Sequence, residues 1–200
     1  MSRPARYDRE KALDAAMGVF WSKGYHATSL KDLEGALGMK PGSIYGAFSS
    51  KENLCLLSLQ RYFEASIARF HAHMAKAATP LTGLAEYLCG FAELEPDDRA
   101  RQMCMLARTL MDTNTTEAGI AAQSRLYLET IREAFTSVFE RAKAGGELPA
   151  HADCGRLARR FQANISAIRF EMHLGTPQNE ITALARDMAG ELKALRTLNA

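Results

Sequence analysis

Residues 18–54 read GVFWSKGYHATSLKDLEGALGMKPGSIYGAFSSKENL and contain closely spaced signals for starting and ending helices. Ser29, followed three residues later by Asp32, resembles a capping box, with Asp in the usual place of Glu or Gln. Gly38 is suited to end the helix that this box begins. Pro41 fits the first position of the next helix, because its missing N–H costs nothing there. The stretch therefore predicts two short helices joined by a tight turn.

Longer helices are predicted on both sides of this pair. The first runs from near Tyr7 to Lys23 and is followed by Gly24. Ser49 and Glu52 predict a capping box for a long helix reaching about Lys76. Two helices joined by a tight turn and braced in this way are typical of a helix-turn-helix, whose second helix enters the DNA major groove.

The second helix of the pair has the features needed for contact with DNA. Ile44 and Phe48 are four residues apart and should face the core, so Tyr45 should point outward, where its hydroxyl can reach a phosphate. Lys40 and Lys51 stand at two helix starts, where they could contact phosphates. The alternatives to DNA contact are that Tyr45 packs in the core and that the two lysines are simply solvated, as most lysines are. Phe20, Trp21 and Tyr25 are expected to pack in the core. The predicted DNA-contacting residues are Thr28, Ser29, Lys40, Pro41, Gly42, Ser43, Tyr45 and Lys51.

These residues resemble the DNA-binding domain of the TetR family of regulators. The similarity rests on Phe20, Gly24-Tyr25, Thr28-Ser29, Gly38, Tyr45-Gly-Ala-Phe48 and Lys51-Glu52-Asn53-Leu54. It implies an all-α fold with a three-helix DNA-binding domain at residues 1–52 and a helical effector-binding and dimerisation domain at 53–200. It further implies a homodimer joined through the last two helices, a palindromic double-stranded operator, a small-molecule effector pocket and a role as repressor.

The rest of the chain shows helical apolar spacing, without sustained alternation of the kind that marks strands. Helices are predicted near 81–94, 98–112, 117–144, 153–174 and 178–196. Many aromatic and methionine side chains there could form core or line a cavity. The last two helices carry apolar stripes that suit either dimer contact or intrachain packing, namely Leu157, Phe161, Ile165, Ile168, Ile181, Leu184, Met188, Leu192 and Leu195.

Charge is distributed unevenly along the chain. Residues 1–51 hold eight Lys and Arg against five Asp and Glu, a net +3, which leaves −1 for the remainder of a chain whose net charge is +2. A basic first part is typical of a nucleic-acid module. The sequence has no apolar run of membrane-spanning length and no secretory signal at its start, so we expect a cytoplasmic protein without membrane contact.

Cys104 is a candidate sensor of oxidants or electrophiles. On a continuous helix, Arg101 and Arg108 would lie on its face, and two cations beside a thiol favour the reactive thiolate. The alternative is a buried packing residue, a common role for cysteine. The four cysteines are too scattered for a zinc site or disulfide framework, so they are expected to be free thiols.

Two other classes of protein compete with a regulator. An enzyme is disfavoured, because the sequence lacks nucleophile-elbow, dinucleotide, phosphate-loop and metalloprotease motifs. No cofactor or metal site is predicted. An architectural protein that coats DNA would keep the helix-turn-helix but would need neither an operator nor an effector pocket. Preference for one palindrome over random DNA separates that class from a regulator.

Overall fold

A computed structural model of the protein describes residues 9–95, 98 and 101–196. Within these residues all regular secondary structure is helical and no strand is present, which confirms the all-α prediction. The helices are α1 (Arg9–Lys23), α2 (Leu30–Leu37), α3 (Pro41–Phe48), α4 (Lys51–Met74), α5 (Pro80–Ala92), α6 (Met105–Thr113), α7 (Ala118–Ala144), α8 (Cys154–Leu174) and α9 (Gln178–Ala194). The predicted start of the first helix, near Tyr7, lies outside the described residues.

The chain packs into two compact units that interleave along the sequence. One consists of the described residues up to Ala65 together with Met105–Tyr127. The other consists of Ser66–Cys104, as far as described, and the described residues from Leu128 onward. The functional division at residue 52 stays a prediction, since these units are defined by packing and not by activity.

The first unit is built around α1, which packs against α2 and α6. Phe20, Trp21 and Tyr25 are buried, as predicted. Trp21 meets the ring of Tyr62 edge-on, with 4.9 Å between ring centroids, a favourable arrangement for an aromatic pair. Ile44 extends the same buried surface to α3.

The caps around α2 and α3 are largely those predicted. The Ser29 hydroxyl accepts a hydrogen bond from the Asp32 N–H, while the Asp32 carboxylate accepts one from the Ser29 N–H at 2.9 Å. Gly38 ends α2 with φ +62°, a left-handed conformation that costs glycine little. The Lys23 ammonium, followed by the Ser29 hydrogen bonds, holds the pKa of Asp32 well below its usual range.

The predicted cap of α4 was wrong by one residue. Ser49 ends α3 instead, with φ +68° and its N–H donated to the Tyr45 carbonyl at 2.8 Å. The hydroxyl of Ser50 then accepts a hydrogen bond from the Asn53 N–H at 3.0 Å. Ser49 and Ser50 therefore separate α3 from α4, which begins at Lys51.

In the second unit, α5 packs against α8 and α9 around a core of aromatic and aliphatic side chains. The apolar stripes of the last two helices lie largely in this core, so they serve intrachain packing; fully or nearly buried members are Phe161, Ile168, Ile181 and Leu192. Among the described residues, none of the helices has the length and apolar character needed to cross a bilayer.

One predicted helix is considerably shorter than expected. The spacing predicted a helix over 98–112, whereas α6 begins at Met105. Arg101 lies before the helix, where its guanidinium donates to the Leu94 carbonyl at 2.7 Å and to the Gln178 side chain.

Candidate DNA-binding surface

The short helix α3 has one buried side and one exposed side. Ile44 and Phe48 are almost completely buried, whereas Gly42, Ser43, Tyr45 and Gly46 are exposed. The Tyr45 side chain is 45% exposed, so the core-tyrosine alternative is wrong. The outward face therefore presents one hydroxyl from serine and one from tyrosine, separated by bare backbone.

The two glycines of α3 leave the backbone on this face uncovered by side chains. A Cβ atom added to Gly42 or Gly46 would meet no atom within 4 Å, so no contact inside the chain requires glycine at either position. Glycine inside a helix costs about 0.5–1 kcal/mol relative to alanine. No contact among the described residues explains why α3 carries two glycines at this cost in stability. Glycine at these positions is expected if another molecule approaches the backbone of α3 closely.

The start of α3 offers one backbone donor and a cation. Lys40 is the exposed N-cap residue and makes no side-chain capping bond. Pro41 at the first helical position has no N–H, and the Gly42 N–H falls in the first turn, where a helix supplies no acceptor. Backbone donors at a helix start favour a phosphate group.

Lys51, at the start of α4, is held in place by an aromatic ring. Its ammonium lies 4.4 Å from the centroid of the buried Tyr25 ring, a cation–π contact. Burial, followed by the charges of Glu117, Cys55 and Glu52, raises the pKa of Tyr25 to about 12. Tyr25 is therefore a neutral platform at physiological pH, and it limits the directions in which Lys51 can extend.

Of the two predicted contacts before α2, one is corrected. Thr28 is only 1% exposed, and its hydroxyl donates to the Gly24 carbonyl at 2.6 Å, so it closes the turn after α1 and cannot reach a phosphate. Ser29 is exposed, although its hydroxyl also serves the cap with Asp32. Its contact with DNA stays a prediction.

Comparison with known proteins places this surface in a family. The profile described as bacterial regulatory proteins, tetR family, matches residues 12–56. The chain is 29% identical to the HTH-type transcriptional repressor ComR of Escherichia coli over 185 residues, 92% of this chain and 88% of ComR. It is 31% identical to a solved candidate TetR regulator from Rhodococcus sp. RHA1, covering 92% of this chain and 99% of that one, with a TM-score of 0.55. The chain belongs to the TetR family.

A further TetR-family structure has the same fold as this chain and aligns with it over most of the length of both proteins. It is a cysteine mutant of the regulator CifR, solved with 26-base-pair double-strand operator DNA. The identity is 26%, the alignment covers 94% of this chain and 98% of CifR, and the TM-score is 0.80.

In this TetR-family chain, α6 is tied to the turn that precedes the helix-turn-helix. The Asp112 carboxylate accepts hydrogen bonds from the N–H groups of Tyr25, at 2.8 Å, and His26, at 3.2 Å. The His26 ring is hydrogen-bonded to the Thr116 hydroxyl at 2.7 Å. Arg108 of α6 donates to the Trp21 carbonyl at 3.1 Å. Sequence analysis missed this cluster, because nothing local marks partners that are 86 to 90 residues apart.

The predicted arrangement around Cys104 is not present. Cys104 immediately precedes α6, so it does not lie on a continuous helix between Arg101 and Arg108. Arg101 donates to the Leu94 carbonyl and Gln178, and Arg108 donates to the Trp21 carbonyl. The continuous helix on which that prediction rested is therefore absent at residues 101–104, and sensing by Cys104 stays a prediction.

Proposed function

We propose that this protein is a transcriptional repressor that binds a two-fold symmetric operator as a homodimer and is released by a small-molecule effector. The exposed face of α3 carries the proposal. It is flat and glycine-bearing, displays Ser43 and Tyr45, and is flanked by Lys40 and Lys51. A surface of this kind suits close approach to a duplex, because backbone can lie against the groove while hydroxyls and ammonium groups reach its edges and phosphates.

Each side chain of this surface has a distinct role in the proposal. Ser43, near the start of α3, faces base edges in the major groove, as the first residues of a recognition helix do. Tyr45 donates its hydroxyl to a phosphate, and Lys40 and Lys51 neutralise phosphates on either side. The ComR repressor and the operator complex of CifR support this reading by their similarity to the chain.

Dimerisation is proposed to use the faces of α8 and α9 that the core leaves exposed. Ala163, Ala167, Phe170 and Leu174 recur at helical spacing along one side of α8, and Phe170 and Leu174 are 48% and 62% exposed. Gly190 on α9 is exposed, and a Cβ added there would meet nothing within 4 Å. Small residues permit close helix approach, and the exposed aromatic and leucine supply apolar area to bury.

The proposed switch acts through α4, which begins at Lys51 and ends at Met74. An effector shifts the protein away from DNA only if it binds the DNA-incompetent arrangement more tightly than the competent one. A small molecule is favoured over a thiol-reactive compound, since the guanidinium groups expected beside Cys104 have other partners. On this account Cys104→Ser keeps both operator binding and release.

Selection from a random pool of duplex DNA tests the proposal. We expect the full-length protein to enrich one palindrome, with half-site centres about 34 Å apart or a near multiple. Tyr45→Ala should lower affinity for this site by about tenfold, the range of a hydrogen bond to a charged group. Tyr45→Phe should lower it almost as much, since only the hydroxyl reaches the phosphate.

Thermal melting followed by circular dichroism supplies the control. Because the Tyr45 side chain is exposed, both variants should have the same melting temperature as the wild type. Enrichment of no sequence, with equal binding to all duplexes, would identify a DNA-coating protein and overturn the proposal. Full affinity in Tyr45→Ala would remove this residue from the interface.

A further inference from the structure

A cavity in the second unit lies between α4 and α5. It has a volume of about 160 Å³, is partly open to solvent, and is lined by Arg69, His73, Tyr87, Gly90, Phe91 and Leu94. An apolar cavity of roughly 150 Å³ is large enough to hold benzene. The volume therefore suits a compound with one ring or a short aliphatic chain.

Aromatic rings give the cavity an ordered apolar wall. The Tyr87 ring meets Phe91 edge-on with centroids 5.2 Å apart, and meets Phe70 in the same way at 5.1 Å. The His73 ring lies 5.3 Å from Tyr87, and its Nε2 is hydrogen-bonded to the Gly83 carbonyl at 2.9 Å. These contacts fix the rings, so the cavity does not depend on a side chain moving aside.

Among the residues described as lining the cavity, the one with a permanent charge is Arg69, and a second guanidinium lies nearby. Arg69 lines it directly and forms no ion pair with any of the described residues. Arg169 of α8, only 8% exposed, has its guanidinium 4.8 Å from the centroid of the Phe91 ring. No Asp or Glu is among the described lining residues.

The charges of both Arg169 and Arg69 act on the pKa of Tyr87. Burial raises the pKa of its phenol, and the charges of Arg169 and Arg69 oppose that rise. Two guanidinium groups therefore act on the same apolar space. Arg69 is exposed and lines the cavity, so its guanidinium is accessible to a ligand, and Arg binds carboxylates with two parallel hydrogen bonds.

We infer that this cavity binds a small apolar carboxylate, a single-ring or short-chain acid, with its carboxylate on Arg69 and its apolar part against Tyr87 and Phe91. The inference rests on the proposed function, since such a ligand would be the effector. Arg69 belongs to α4 and Tyr87 to α5, so a bound acid would tie these two helices together. That tie changes the position of the helix that begins at Lys51.

Isothermal titration of the full-length protein, without DNA, tests the inference. The probes are benzoate, phenylacetate and hexanoate, each paired with its neutral amide of nearly the same shape. At least one acid should bind the wild type about 10- to 100-fold more tightly than its amide, the range of a charge-assisted hydrogen bond. Equal binding of acid and amide in every pair, or no binding of any acid, overturns the inference.

Two variants locate the site, and a third is the matched control. Arg69→Gln should remove the preference for acid over amide. Gly90→Leu should abolish binding of both, because Gly90 lines the cavity, a Cβ added there meets no atom within 4 Å, and the rest of the leucine side chain would fill the space. Lys76→Gln makes the same change of charge just beyond α4, outside the cavity, and should bind as the wild type does. An Arg69→Gln variant that retains the preference overturns the assignment.

The titration separates this inference from the proposed function. A protein that binds its operator but prefers no acid would refute only the carboxylate site. A protein that prefers acids but binds no duplex would refute the repressor and leave the site intact. When both hold, the bound acid should lower operator affinity in a gel-shift titration, and its amide should not.

Discussion

At the scale of single residues, the Asp112 carboxylate is one of the contacts that connect α6 to the turn before the helix-turn-helix. It satisfies the N–H groups of Tyr25 and His26 in a turn where no helix supplies acceptors. Gly24, in the same turn, has φ +85°, and a Cβ added there would lie 3.1 Å from Asp112 Oδ2. Glycine thus permits both the left-handed turn and the close approach of the carboxylate.

Replacing Asp112 tests the value of this contact. Asp112→Ala leaves two backbone donors without their acceptor, so the free energy of unfolding should fall by about 1–3 kcal/mol. Asp112→Asn keeps a neutral acceptor oxygen and should fall between the alanine variant and the wild type. Urea denaturation measures both, with Asp187→Ala, an exposed residue of α9, as the matched control. Equal stability of Asp112→Ala and wild type would contradict the connecting role.

Side chains differ in how far the sequence predicts their position. The outward direction of Tyr45 followed from the spacing of Ile44 and Phe48, which needs only helical geometry. The burial of Thr28 did not follow, since a threonine before a helix can either close the preceding turn or remain exposed. Asp112 could not be predicted at all, because its partners come from a distant part of the chain.

At the scale of elements, α3 combines a well-packed side with an exposed side that sacrifices helix propensity. Gly46→Leu separates these properties. The variant should be as stable as the wild type or more stable by up to about 1 kcal/mol, since glycine is replaced by a good helix former in open space. Its DNA affinity should nevertheless be lost, because leucine holds the helix away from the groove.

The matched control is Gly35→Leu on α2, also at an exposed position where an added Cβ meets nothing within 4 Å. It should gain similar stability and keep DNA affinity. Thermal melting and fluorescence anisotropy with the selected operator measure the two properties. Undiminished DNA binding by Gly46→Leu would show that α3 does not face the duplex.

The sequence predicted the ends of helices correctly where the residue type is suited to only one position in a helix. Gly38 and Pro41 mark their helices correctly, because a left-handed φ and a missing N–H each suit few positions. Ser49 and Ser50 could each cap the start of α4. Ser49 was predicted to do so, but it ends α3 instead. The late start of α6 at Met105 was missed, because the preceding residues carry no glycine to end the pattern.

At the scale of the whole molecule, a basic DNA-binding part is combined with a second part for which we propose an acid as the ligand. The excess of positive charge in residues 1–51 predicts that phosphate neutralisation dominates affinity. The sequence predicted the DNA-binding part, and the family resemblance implied an effector pocket, but neither indicated an acid as the ligand. The sequence could not locate the cavity, whose lining comes from α4, α5 and the residues after α5.

The most direct measurement is the affinity of the full-length protein for its selected operator over a series of KCl concentrations. We predict that the logarithm of the binding constant falls linearly with the logarithm of salt. Lys51→Met should bind more weakly with unchanged base preference and a slope shallower by about 0.9, the value for one phosphate contact. An absence of measurable affinity for any duplex at low ionic strength would contradict the account.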